Sequence, residues 1–132
     1  MTRIIPTKDI GQPCLFDTCI MLDYFRGIKE SRNNVRQCPQ RYISVITWME
    51  LSTCLPAEHI RPITEFIIQN FSIVNVDRDV AEHAAFLRHE KGLNMPNAIL
   101  YASARTSFAN LLTRNTKDFS SEWQDVYVPY EL

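Results

Sequence analysis

The amino-acid sequence predicts an α/β sandwich on a mainly parallel central sheet. Three observations predict it. Short β-branched or apolar runs alternate with helix-length amphipathic stretches, the order expected of crossover units. Those runs hand over to helix starts, several of them marked by an acidic residue, so successive strands point the same way. The 132 residues are 45% hydrophobic and 22% charged, which suits one domain with its own core and argues against disorder.

Residues 1–12 read as a polar lead-in containing Pro6 and Gly11, either a flexible extension or an added edge element on a single domain spanning 1–132. Pro13-Cys14-Leu15-Phe16 is a short buried strand. Helical spacing of Ile20, Met21, Tyr24 and Phe25 follows over 18–26, with Gly27 as its stop. Residues 28–40 are rich in Lys, Arg, Ser and Asn and read as a polar helix or a mobile arm. Residues 42–46 form the second strand by their β-branched bias. A helix from Thr47 to Cys54 is interrupted by Pro56, and the next, over 57–70, stacks Ile60, Ile63, Phe66 and Ile67 on one face. Residues 72–76 are the third strand. Asp77 opens a helix that Gly92 stops, and Pro96 to Thr106 is a small-residue helix suited to packing on a sheet. Residues 110–113 and 126–128 supply the last strands.

Net charge is −1, so the chain is not a general nucleic-acid gripper; contact with RNA must be local or rely on bound metal. No window approaches eighteen consecutive apolar residues, and the opening Met1 to Pro6 is not a signal peptide, so a cytoplasmic protein without membrane contact is expected. Cys14, Cys19, Cys38 and Cys54 are scattered without a C-x-x-C pair, and they read as small buried thiols in a reducing compartment. His83 and His89, six apart, point to different faces of one helix and offer no zinc spacing.

The chemistry rests on acids placed just after strands. Asp17, Glu50 and Asp118 each occupy such a position, and Asn97 has a matching place with an amide. Taken singly, each has a capping explanation: Asp17 as an N-cap, Thr47-x-x-Glu50 as a capping box, Asn97, Asn115 or Asp118 as a cap or Asx turn. Jointly they suggest more. In a parallel sheet, ligands sit at the carboxyl ends of strands. Two carboxylates about 4 Å apart repel by roughly 4 kcal/mol at an effective dielectric of 20. A hard cation with oxygen ligands, Mg²⁺ or Mn²⁺, resolves that repulsion.

Leu15-Phe16-Asp17-Thr18-x-x-Met21-Leu22-Asp23-Tyr24 and Ile43-Ser44-Val45-Ile46-Thr47-x-x-Glu50-Leu51 resemble the opening of a PIN-domain ribonuclease of the VapC toxin type. Pro96-Asn97-Ala98-Ile99-Leu100-Tyr101-Ala102-Ser103-Ala104 and Leu111-Leu112-Thr113-Arg114-Asn115-Thr116-Lys117-Asp118-Phe119 resemble its second half, so the likeness covers about residues 13–130. The resemblance implies a three-layer α/β/α fold, Mg²⁺-dependent hydrolysis of RNA phosphodiesters (Mn²⁺ substituting), and the toxin role in a type II toxin–antitoxin system. It further implies a homodimer and a cognate antitoxin protein through which alone DNA is met. Carried over, Asp17, Glu50, Asn97 and Asp118 are the catalytic and metal positions, with Thr18, Thr113 and Asn115 supporting them. Asn97 departs from the family's aspartate, keeping shape but losing a charge. It is either an inactivating exchange or a naturally weakened variant.

Arg26, Lys29, Arg32, Arg36 and Arg41 cluster in sequence near the expected cleft entrance and are candidates for RNA contact, or else a solvated charged face. A second class of function is a non-catalytic module that binds an antitoxin helix in grooves lined by Tyr24, Phe25 and Trp48 and acts in a DNA-binding repressor complex. A phospho-acceptor regulator centred on Asp17 is a weaker third class, because residues 126–129 lack the lysine that such a fold places after its last strand.

Overall fold

A computed structural model describes residues 3–4 and 12–132. Its elements are β1 (Arg3–Ile4), β2 (Cys14–Phe16), α1 (Thr18–Phe25), α2 (Lys29–Gln37), β3 (Arg41–Ser44), α3 (Val45–Cys54) and α4 (Ala57–Asn70). Then follow β4 (Ser72–Val74), α5 (Arg78–Lys91), α6 (Met95–Thr106), β5 (Asn110–Leu112), β6 (Val126–Tyr127) and β7 (Tyr130–Glu131). Five strands form one parallel sheet in the order β4-β3-β2-β5-β6. The chain first builds outward from β2 to β3 and β4, then returns to the other side of β2 for β5 and β6. That reversal makes the gap between β2 and β5 the topological switch point.

Alternation along each strand divides the core in two. Leu15, Leu111 and Val126 pack with Val80, Ala84 and Leu87 of α5 and with Ala98, Tyr101 and Ala102 of α6. Cys14, Phe16, Ile43, Leu112 and Tyr127 turn to the other face, against Ile20 and Met21 of α1, Val35 of α2, Leu51 of α3 and Ile67 of α4. Neighbouring strand residues facing opposite ways give the three layers that the sequence predicts. Each large apolar side chain buried this way contributes about 1.5–3 kcal/mol.

Local signals explain most boundaries. Asp17 accepts the Thr18 N–H at 2.7 Å to start α1, and Asp77 accepts the Val80 N–H at 2.9 Å to start α5. Gly27 and Gly92, at φ +83° and +67°, stop α1 and α5 in the left-handed region open to glycine. The polar stretch 28–40 is helical over Lys29–Gln37; of its inward polar residues Ser31 donates to the Ile20 carbonyl at 2.7 Å, while the buried Asn34 Oδ1 finds no hydrogen-bond partner among the described residues.

Two boundaries move from their expected places. Val45 and Ile46 belong to α3 rather than to a strand, because Ser44 ends the pairing with β4 and its hydroxyl accepts the Ile46 N–H at 3.1 Å. The reciprocal box between Thr47 and Glu50 is therefore replaced by a Ser44 cap. On α6 the cap is Asn94, accepting the Asn97 N–H at 3.0 Å, which releases the Asn97 side chain from capping. Most of the lead-in 1–12 lies outside the described residues, but Arg3–Ile4 pairs antiparallel with Tyr130–Glu131. That pairing fits the added-element alternative for the lead-in; the strand at Tyr130–Glu131 is not among the expected elements.

One buried ion pair locks the C-terminal segment to α1. Asp23, 3% exposed, receives a two-pronged hydrogen bond from Arg114 at 2.7 and 3.0 Å, and Tyr130 donates to the same carboxylate at 2.7 Å. Arg114 directly follows Thr113, so this pair also fixes the loop leaving β5. Arg114→Met strands the Asp23 charge in the core and should lower the unfolding free energy by about 3–5 kcal/mol in urea denaturation. The double variant Arg114→Met/Asp23→Leu should recover a large part of that loss.

α6 ends at a residue ill-suited to its backbone. Ala109 N–H bonds to the Ala104 carbonyl at 2.9 Å across Phe108, which holds φ +53° while its ring is 90% exposed. The ring has almost no burial to lose. Phe108→Gly should therefore stabilise the protein by about 0.5–1 kcal/mol, read in the same denaturation assay.

Candidate active site

The site grows from the switch point. β2 ends at Phe16 and β5 at Leu112, and the two are paired in register. The residues that follow them, Asp17 and Thr113, are both buried and meet directly: the Thr113 hydroxyl donates to Asp17 Oδ2 at 2.7 Å. The Asp17 N–H in turn donates to the Leu112 carbonyl at 2.9 Å. Two parallel strands thus place one carboxylate with its orientation fixed on both oxygens.

From Asp17 the network runs two ways. Thr18, next in the chain, donates its hydroxyl to Glu50 Oε1 at 2.6 Å and shares a 3.1 Å hydrogen bond with the Thr47 hydroxyl. Thr47 and Glu50 lie one turn apart on α3, so both face the start of α1. In the other direction, Thr113 Oγ1 accepts the Asn115 N–H at 2.9 Å, and the Asn115 amide donates to Asp118 Oδ2 at 3.0 Å. The Asn97 amide donates to that same Asp118 oxygen at 3.0 Å from the first turns of α6.

The expected pocket of three converging carboxylates therefore resolves into two groups joined by Thr113. Asp17 and Glu50 form one. Asp118, Asn97 and Asn115 form the other. Among the described residues, no three Asp, Glu, His or Cys side chains stand close enough to hold an ion as a ready-made set. The separation has a physical cause: Asp118 is satisfied by two amide donors where a second acid would have repelled it.

A family model described as PIN domain matches residues 14–121. The chain belongs to the PIN-domain family. Among solved structures, this PIN domain is similar to a chain of the toxin–antitoxin complex from Klebsiella pneumoniae, with 39% identity and a TM-score of 0.82 over 90% of this chain and 99% of that one. It also resembles chains of VapBC2 from Rickettsia felis bound to a promoter DNA fragment (17% identity, TM-score 0.68, covering 80% and 90%). DNA-bound VapBC from Salmonella typhimurium gives 20% identity and a TM-score of 0.68, covering 82% and 90%. The last two likenesses show the fold alone. No curated protein matches the chain.

Electrostatics single out Asp17 within the PIN domain. Burial raises its pKa; hydrogen bonds from Thr113, the Thr18 N–H and Cys19 oppose the rise, and the charge of Glu50 adds to it. A carboxylate held charged in such a place gains from a cation. All-oxygen donors at Asp17, Glu50, Asp118 and the Asn97 amide suit a hard divalent ion, so the chemistry of the donor set fits the metal that the family implies, although the acids are not gathered around one point. Asn97 brings only a neutral oxygen to that set.

Sequence reasoning missed Cys19 and Arg114. The Cys19 thiol lies 3.6 Å from Asp17 Oδ2 and accepts the Arg114 N–H at 3.4 Å. Burial and the neighbouring Asp17 charge push its pKa up to about 12, so it is a neutral thiol at pH 7 and not a nucleophile. Only its first-turn position beside Asp17 hinted at this role.

The basic residues stand elsewhere. Arg26 and Lys29 are exposed at the turn between α1 and α2. Arg32 donates to the Tyr24 carbonyl at 3.2 Å and lies over the Tyr24 ring at 5.3 Å. Arg32, Arg36 and Arg41 line a cavity of about 250 Å³ with Tyr24, Val35, Phe66 and Asn70. Arg41 opens β3, opposite Cys14 in register, at the amino end of the sheet; the acids lie at the carboxyl end. The expected placing of this cluster at the cleft entrance is corrected for Arg32, Arg36 and Arg41, because α1 and α2 carry the chain back down the sheet.

Linkage gives a test of Asp17. Its folded pKa is above the ordinary 3.8, so its contribution to stability is whole below that pH and is lost as pH rises through the folded value. In chelator-treated buffer, Asp17→Asn should match the original chain in acid. At pH 7 it should melt roughly 2–5 °C higher, the size of an effect of about 1 kcal/mol in a chain of this length. Thermal denaturation across a pH series checks it.

Proposed function

We propose that this PIN domain is the toxin of a type II toxin–antitoxin pair, built as a Mg²⁺-dependent endoribonuclease and weakened or silent with Asn97 in place. The observation that carries the reading is the buried Asp17 at the switch point, joined by hydrogen bonds to Glu50 on one side and to Asp118 on the other. The similarity to a chain of the Klebsiella pneumoniae toxin–antitoxin complex supports the toxin assignment. An antitoxin protein is the expected partner, with DNA met through it and two copies of this chain per unit.

Asp17, Glu50 and Asp118 would hold the cation, with Mn²⁺ able to replace Mg²⁺. When bound, it would supply Lewis acidity for water activation and positive charge for the scissile phosphate. The chain's own groups set the stage for that. Thr113 and the Thr18 N–H fix Asp17, so its lone pairs face one direction. Thr18 orients Glu50 toward the same end of the sheet, where a carboxylate can position the attacking water. Asn115 holds Asp118 on the loop after β5. Asn97 contributes a donor to Asp118 where the family's aspartate would contribute a charge.

A second reading, an antitoxin-binding module without cleavage, draws on the same amide. With Asn97 and Asn115 both donating to Asp118, that carboxylate has hydrogen-bond donors without metal. Of the expected groove residues, Tyr24 and Phe25 pack with Phe66 in a half-buried aromatic cluster between α1 and α4 that would meet an apolar helix, and the Arg32, Arg36 and Arg41 cavity beside it would take an acidic side chain.

Asn97→Asp separates the two. The variant should gain Mg²⁺-dependent RNA cleavage by roughly 10²-fold, the scale on which metal-site partners act. It should also gain a Mg²⁺-dependent rise in Tm. Adding Asp17→Ala should remove both. An Asn97→Asp protein that neither cuts RNA nor melts higher with Mg²⁺ or Mn²⁺ leaves only the binding module.

A further inference from the structure

Two cysteines far apart in sequence meet at the amino end of the sheet. Cys14 is the first residue of β2, and Cys38 closes α2 just before β3. Both are buried, at 0% and 1% exposure. Their thiols reach the same acceptor, the Gln12 carbonyl, at 3.4 and 3.7 Å, which brings the two sulfurs to one place. The backbone holds them there: the Cys14 N–H donates to the Gln40 carbonyl at 3.0 Å, and Cys38 Sγ reaches that same oxygen at 3.2 Å.

We propose that Cys14 and Cys38 form a redox-active dithiol that closes to an intramolecular disulfide by exchange with a low-molecular-weight disulfide.

The pair is unequal, as exchange chemistry requires. The neighbouring Cys14 lowers the Cys38 pKa against the effect of burial, and the Arg41 guanidinium favours its thiolate further. Arg41 is fixed beside it, its Nε 3.3 Å from the Cys38 carbonyl. Cys14 is raised by the same contact and by burial, which makes Cys38 the attacking sulfur and Cys14 the resolving one. Among the described residues, the flanking Gln12, Pro39 and Gln40 are exposed, so the pair lies just beneath the surface.

The Cys38 thiolate attacks one sulfur of the small disulfide and expels a small thiolate, leaving a mixed disulfide on Cys38. Cys14 loses its proton to solvent, attacks the Cys38 sulfur and displaces the second small thiolate. Two protein thiols surrender two electrons and two protons; the small disulfide takes them up as two thiols. The new bond ties the start of β2 to the turn before β3 and encloses α1 and α2 in a covalent loop.

The test uses the full chain with oxidised glutathione, followed by intact mass, thiol counting after denaturation, and peptide mapping. The expected product has lost two hydrogens, retains thiols at Cys19 and Cys54, and maps to a Cys14–Cys38 link. Its Tm should rise by roughly 5–10 °C and fall back with dithiothreitol. Cys54→Ser, at an exposed position, should react in the same way; Cys14→Ser and Cys38→Ser should each fail to lose the two hydrogens. Four thiols surviving in the folded protein, a lasting glutathione adduct on Cys38, or a link through Cys19 or Cys54 would each overturn the proposal.

Discussion

A single hydrogen bond, from the Thr113 hydroxyl to the Asp17 carboxylate, organises the functional end of this protein. Its partners are 96 positions apart, and only the parallel pairing of β2 with β5 brings them together. The fold supplies that pairing because the chain returns to the middle of its sheet after building one flank. Asp17 then acts at once as helix cap, as strand terminus and as the most buried charge of the site. Glu50 and Asp118 are positioned by what Asp17 and Thr113 do to their neighbours, through Thr18 on one side and Asn115 on the other. The acids are thus ordered by neutral groups between them.

Much of the architecture was readable from local chemistry. α1, α4 and α5 stand close to where Asp17, Gly27, Pro56, Asp77 and Gly92 mark them, because caps and stops act within a few residues. The failures share a different character. Val45 and Ile46 look like strand by their branching, but a serine hydroxyl one residue earlier decides for helix. Asn94 and Asn97 are equally able caps three residues apart, and only the packing of α6 chooses between them. β1 and β7 are two-residue strands at opposite ends of the chain, too short to carry any period. The Cys14 and Cys38 contact left no trace either, since spacing in sequence says nothing about a turn that folds back on a strand.

The site shows the same division. That Asp17, Glu50 and Asp118 lie at one end of the sheet follows from strand–helix alternation. How they sit relative to one another does not, because it depends on side chains of ordinary type such as Thr18, Thr47 and Thr113. Asn97 matters most here. An aspartate in its place would face Asp118 as a like charge and would need a cation between them; the amide makes a hydrogen bond instead. The protein reaches a settled arrangement in which the outer carboxylate already has its donors, while the inner one, though hydrogen-bonded on both oxygens, remains desolvated.

Asp23 draws both of its side-chain partners from far along the chain, 91 and 107 positions away. Arg114 comes from the loop after β5, and Tyr130 from 107 positions downstream. During synthesis the aspartate emerges early, long before either of them exists. Helix α1, eight residues long, is too short to hold on its own, and the Asp23 carboxylate stays hydrated until residues beyond 113 have been made and threaded home. Maturation of the acid-bearing end of the sheet is therefore governed by the last strands to be translated, and a ribosome stalled in the middle of this message holds a chain whose acids have no common frame.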